Sequence, residues 1–151
     1  MTLQEQIKEA MKTEMRARNM PAVTTYRGLM SAFTNEVVAQ KLSPDTPISD
    51  EDALRVLTRE AKRRKDSIQQ YSDAGREDLA EDEKSELALI EQFLPELMSE
   101  DEIRAIAQAK KEEMGITDAS EKGKFIGTLM GELKGKADGA LVKKVVDGLF
   151  V

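Results

Sequence analysis

From Leu3 to Phe150, apolar residues return at steps of three and four, and no segment keeps the strict alternation that a half-buried strand requires. A chain patterned this way buries its apolar surface only by packing helix on helix, so the expected fold class is all-α, with no sheet. Punctuation is sparse. Asn19 and Pro21 mark one break, and Ser43-Pro44-Asp45-Thr46-Pro47 is the clearest loop, because its prolines lack backbone donors and push the preceding residues away from helix. Gly75, Pro95 and Gly115 mark further stops.

With a further stop at Gly135, these marks separate seven expected helices. Thr2 with Glu5 makes a capping-box pattern at the start of the first, whose inward stripe is Leu3, Ile7, Met11 and Met15. Val23, Tyr26, Met30, Phe33 and Val37 form the second stripe. Ser49 caps a long third helix with Leu54, Leu57, Ala61, Ile68 and Tyr71 inward, and a fourth follows from about Glu77 to Phe93 with Leu79, Leu87, Ile90 and Leu94. Ser99-Glu100-Asp101-Glu102 opens the fifth, which buries Ile103, Ile106, Ala107 and Met114. The sixth, from about Ser120 to Lys134, turns Phe125, Ile126, Leu129, Met130 and Leu133 inward, and the seventh turns Leu141, Val142, Val145, Val146, Leu149 and Phe150. The expected organisation is a four-helix domain over residues 1–95 and a three-helix bundle over 96–151, with the boundary between Phe93 and Ser99.

Composition removes several classes of function. Cysteine and histidine are both absent, which excludes thiol nucleophiles, thiolate metal sites and the commonest general base near neutral pH. No metal or cofactor is expected, and the paired acids Glu81/Glu83 and Glu100/Glu102 read as solvated helix starts favoured by the helix dipole. No apolar run approaches the length of a membrane span, and the opening MTLQEQIKEAMK mixes charge into its apolar positions, so a cytoplasmic chain without membrane contact is expected. A net charge of −6 argues against wholesale binding to phosphate backbones. That average conceals a split: residues 119–151 carry six lysines against Glu121, Glu132, Asp138 and Asp147, a local excess of two positive charges.

The densest basic run, Arg59 with Lys62 to Lys65, lies on helix three. At 100° per residue Arg55, Arg59, Lys62 and Arg63 fall opposite the apolar stripe, and a solvated face accounts for them. Arg64 and Lys65 flank that stripe, within reach of acids on helix four. The C-terminal part is less ordinary. Gly123, Gly127, Gly131, Gly135 and Gly139 recur every four residues. Glycine costs about 1 kcal/mol against alanine inside a helix, so Gly127 and Gly131 call for an offsetting role. Two readings are open, namely close approach of two helix backbones and a smooth surface for an RNA backbone. In the stretch GELKGKADGALVKKVV, Gly135 is placed to stop the sixth helix and Asp138 to cap the seventh. Lys136 sets a cation just ahead of unsatisfied backbone donors, a combination suited to phosphate.

The sequence GKFIGTLMGELKGKADGALVKKVVDGLF resembles the C-terminal tail domain of the B subunit of bacterial tRNA-dependent aspartyl/glutamyl amidotransferases. The preceding RRKDSIQQYSDAGREDLAEDEKSELALIEQFLPELMSEDEI resembles the free-standing YqeY proteins, small all-helical chains that carry the tail without the rest of the enzyme. The resemblance implies kinship with a carbon–nitrogen ligase that uses glutamine as amido donor. The part resembled is the one that grips the tRNA body, and the amidase subunit and nucleotide-binding cradle have no counterpart here. It implies tRNA, or a tRNA synthetase or amidotransferase, as partner. It also implies contact through Lys124, Lys134, Gly135 and Lys136, which match the tail motif. No catalytic residue is assigned. A helical adaptor that binds protein and not RNA is the alternative.

Overall fold

A computed structural model describes residues 1–150. It contains seven α-helices: α1 (Leu3–Arg16), α2 (Met20–Ala39), α3 (Asp50–Asp73), α4 (Glu77–Glu91), α5 (Glu100–Met114), α6 (Lys122–Leu133) and α7 (Gly139–Leu149). One 3-10 turn, Ala119–Glu121, precedes α6, and there is no strand among the described residues. The chain divides between Leu94 and Pro95 into two compact units.

In the N-terminal unit the local signals act as their chemistry predicts. The Thr2 side chain accepts from the Glu5 N–H at 3.2 Å while the Glu5 carboxylate accepts from the Thr2 N–H at 2.8 Å, so the capping box closes in both directions. Ser49 accepts from the Asp52 N–H at 3.2 Å to start α3. The α2 helix touches α1, α3 and α4, and so needs a buried face wider than one stripe. It buries Ala22, Val23, Thr25, Tyr26, Leu29, Phe33 and Val37, of which Leu29 lies outside the expected stripe although it is fully enclosed. Ile7, Val56, Leu57 and Ile90 complete this core, and Phe93 stands edge-on to Tyr26 with ring centroids 6.1 Å apart. Met15, expected inward, is 49% exposed. Each four-residue step turns the α1 stripe by about 40°, and by Met15 the row has rotated off the surface that Ile7 buries.

In the C-terminal unit, α5 and α7 run parallel. The Met98 N–H donates to the Lys136 carbonyl at 2.9 Å, Lys144 pairs with Glu100 at 3.5 Å, and Lys111 Nζ donates to the Leu149 carbonyl at 3.1 Å, three ties in the same order along both segments. The α6 helix returns antiparallel to α7, its Lys122 paired with Asp147 near the far end. Ile103, Ala107, Phe125, Leu129, Val142 and Val146 form the core. Phe150 lies edge-on to Phe125 at 5.9 Å, with Lys111 Nζ 4.7 Å from the Phe150 ring centre. Ile116, in the connection after α5, is also buried. The start of α6 is later than the sequence suggests, because Asp118 caps the 3-10 turn by accepting from the Ser120 N–H at 3.0 Å and the α-helix begins only at Lys122.

The Lys122–Asp147 pair gives this unit a defined acid response. The hydrogen bond from Lys122 holds the Asp147 carboxyl below its ordinary value. Its folded-state pKa is therefore the lower one, and the stabilisation is complete above the unfolded value near 4 and lost as pH falls through the folded value. Urea midpoints of the wild type should drop more between pH 6 and pH 3 than those of Asp147→Asn, and equal drops would remove the pair from the account.

Candidate nucleic-acid interface

The lysine-bearing turn begins where α6 ends. Lys134 has φ −56° and ψ 125°, and Gly135 has φ +78°. The Lys136 N–H donates to the Leu133 carbonyl at 2.9 Å. These are the marks of a type II β-turn over Leu133 to Lys136, whose third position demands positive φ and hence glycine. The Leu133 carbonyl also accepts from Ala137 at 3.1 Å, and the Lys136 carbonyl is taken by Met98. Thus the backbone of the turn is held from both sides while the Lys134 and Lys136 side chains stand in solvent. Asp138 begins α7 as the expected cap, accepting from the Ala140 N–H at 2.8 Å.

The site residues inferred from sequence do not all gather in one place. Lys134, Gly135 and Lys136 share the turn, but Lys124 is one turn into α6 at its other end, roughly 15 Å away along the helix axis. Between them run Gly123, Gly127 and Gly131, all exposed and on the side opposite the buried Phe125, Leu129 and Leu133. A Cβ at any of these three glycines would meet nothing within 4 Å. Close helix packing is therefore not what they serve. They leave a smooth, solvent-facing lane from Lys124 to the turn. Gly139 differs, since a Cβ there would lie 3.5 Å from the Met130 methyl.

The lysines of the C-terminal unit differ in how they are paired. Among the described lysines of the C-terminal unit, Lys124, Lys134, Lys136 and Lys143 have neither a carboxylate within 4 Å nor a side-chain hydrogen bond, whereas Lys110 is bound to Glu132 at 2.7 Å, Lys122 to Asp147, Lys144 to Glu100 and Lys111 to the Leu149 carbonyl at 3.1 Å. The hydrogen bond that Lys110 donates to Glu132 raises the pKa of Lys110. The acids of the first α5 turn are likewise engaged, with Arg104 bonded to both Glu100 and Asp101 at 2.9 Å. Lys143 is exposed on α7, and its charge adds to that of Lys122 in holding the Asp147 carboxyl low. Adjacent Lys143 and Lys144 are alike in sequence, and only the fold separates them by giving Lys144 the Glu100 carboxylate. Beside the turn, a groove of about 330 Å³ opens between the end of α6 and the start of α7, lined by Met130, Leu133, Ala137 and Val142 with Lys134 and Gly135 at its rim.

Other sequence candidates dissolve into structure. Arg59 bonds Glu36 at 3.3 Å, and Arg64 joins Glu60 at 2.8 Å to Glu86 at 3.3 Å, tying α3 to α2 and α4. Glu81 is exposed and pairs with Lys84 at 2.9 Å. Glu83, expected on the surface, is half-buried, and burial followed by the charge of Glu86 pushes its pKa up. Among the described residues no group of three or more acidic, His or Cys side chains is placed to hold a metal, and no helix is long and apolar enough to cross a membrane.

The same substitution should act with opposite signs along this surface. Gly127→Ala removes backbone entropy from the unfolded chain and enters open space, so a gain of roughly 0.5–1 kcal/mol is expected. Gly135→Ala must hold alanine at positive φ and should cost about 1 kcal/mol. Denaturation of the two variants in parallel checks both.

The sequence model of a family described as Yqey-like protein matches residues 4–150. The chain belongs to the YqeY family. Similar curated proteins include an uncharacterised protein of Schizosaccharomyces pombe, 35% identical over 94 residues that cover 62% of this chain and 73% of that one. A protein of Pyrenophora tritici-repentis named altered inheritance of mitochondria protein 41, mitochondrial, is 28% identical over 141 residues, covering 90% and 74%. Its namesake in Vanderwaltozyma polyspora is 33% identical over 91 residues, covering 60% of this chain and 48% of its own length. This YqeY chain thus shares its matched region with proteins whose names state no chemistry.

Proposed function

We propose that this YqeY protein is an accessory, non-catalytic tRNA-binding protein, and that the Lys134–Gly135–Lys136 turn with Lys143 is the contact surface. The observation that carries the reading is the unequal pairing of lysines in the C-terminal unit. Paired cations have already given up hydration for a carboxylate, whereas unpaired, exposed ones on a rigid turn are free to displace counterions from phosphate. The glycine lane adds a path along which a backbone can approach without meeting side chains. The resemblance to the amidotransferase tail supplies the class of RNA, and a cytoplasmic location belongs to the same proposal. A tRNA-charging enzyme docked on this surface is the neighbouring possibility, and co-purification with and without ribonuclease separates the two.

With three to four phosphate contacts the slope of log K against log salt should be about −3. Filter-binding or anisotropy titrations of tRNA at several salt concentrations measure it. An affinity indifferent to salt would defeat the proposal.

A further inference from the structure

The groove beside the turn narrows what kind of nucleic acid fits, an inference that rests on the RNA-binding reading. Its walls are apolar, from Met130, Leu133, Ala137 and Val142, yet its rim carries Lys134, which has no carboxylate within 4 Å. A ligand that satisfies both must join a flat apolar body to an anion. At about 330 Å³ the groove is at the lower end of ligand-sized cavities. It holds one planar group and is too short for the row of anchors by which an amphipathic helix docks. A base locked in an A-form duplex is also excluded, because its faces are stacked and its edges lie inside the grooves.

We infer that the groove between the end of α6 and the start of α7 receives one unpaired nucleobase, with Lys134 and Lys136 on the flanking phosphates. The thioether of Met130, a soft surface suited to an aromatic ring, lines the groove beside Gly139, where a Cβ would stand 3.7 Å from the sulfur. The type II turn fixes where Lys134 and Lys136 leave the backbone beside the groove, and the bond from Met98 to Lys136 holds the turn in place. The surface therefore reads a bulged, looped or single-stranded nucleotide in preference to a duplex.

The test compares two probes with the full chain, an unstructured oligouridylate and a blunt-ended RNA duplex of equal length, at one salt concentration. The expected result is tighter binding of the oligouridylate, by about tenfold, the scale of one seated base. Ala137→Phe, which fills the groove and leaves every lysine in place, should abolish that preference and leave duplex binding unchanged. Met130→Ala, which removes one wall, is the companion variant should Ala137→Phe fail to fold, and it should weaken the oligouridylate several-fold. Equal binding of the two probes, or a folded Ala137→Phe that keeps the preference, overturns the nucleobase site while leaving tRNA binding intact. Absence of binding to either probe and to tRNA overturns both.

Discussion

Replacing Lys134 and Lys136 together by glutamate should lower tRNA affinity on the order of a hundredfold at physiological salt and flatten the salt slope from about −3 to about −1. The expectation follows from the turn. Both side chains are exposed on a segment whose carbonyls and amides are already engaged by Leu133, Ala137 and Met98, so the substitutions change charge without loosening backbone. Lys122→Ala, which deletes a lysine already bound to Asp147, is the matched control and should change affinity by no more than about twofold. Lys143→Glu alone should remove about one unit of slope. If the double variant binds tRNA as the wild type does, the proposed surface is wrong. If Lys122→Ala is as damaging as the double variant, diffuse charge and not the turn carries the binding.

Phe125→Ala should destabilise the C-terminal unit by about 3–5 kcal/mol, seen as an earlier urea transition. Phe125 is fully buried and meets Phe150 edge-on at 5.9 Å, so truncation loses both burial and an aromatic pair. The cost should be near the upper end because α6 has little stability of its own. Gly127 and Gly131 each take about 1 kcal/mol from it relative to alanine, and their exposure returns nothing through packing. The helix holds because Phe125, Leu129 and Leu133 are clamped against α5 and α7. Adding Gly127→Ala and Gly131→Ala to Phe125→Ala should restore part of the loss, and no restoration would mean that the glycines are not the weak point.

Much of the architecture can be read locally. Thr2 and Ser49 cap their helices through hydrogen bonds spanning three residues, and apolar spacing locates Phe33, Leu57, Phe125 and Val146 in cores, because these signals operate within one or two turns of chain. Errors arise where a helix meets several neighbours or leaves one. Leu29 is buried because α2 lies against three other helices, and Met15 is exposed because the α1 stripe rotates away from its partner. The candidate site divides in the same way. Glycine and lysine at 134–136 announce a turn with charge, and the rise of α6 alone sets Lys124 apart from it, while the difference between Lys143 and Lys144 depends on Glu100, from a helix distant in sequence.

By itself, then, the sequence determined an all-helical chain, its main stops and caps, and a basic C-terminal segment, since periodicity, proline geometry and capping are properties of a few consecutive residues. Tertiary structure decided which lysines stay free, that the Gly123–Gly131 lane faces solvent, and that an apolar groove opens beside the turn. The physical reason is that an ion pair or a groove wall needs two segments at the same point in space. Which segments meet is settled only when α5 and α7 align in parallel and α6 folds back against α7.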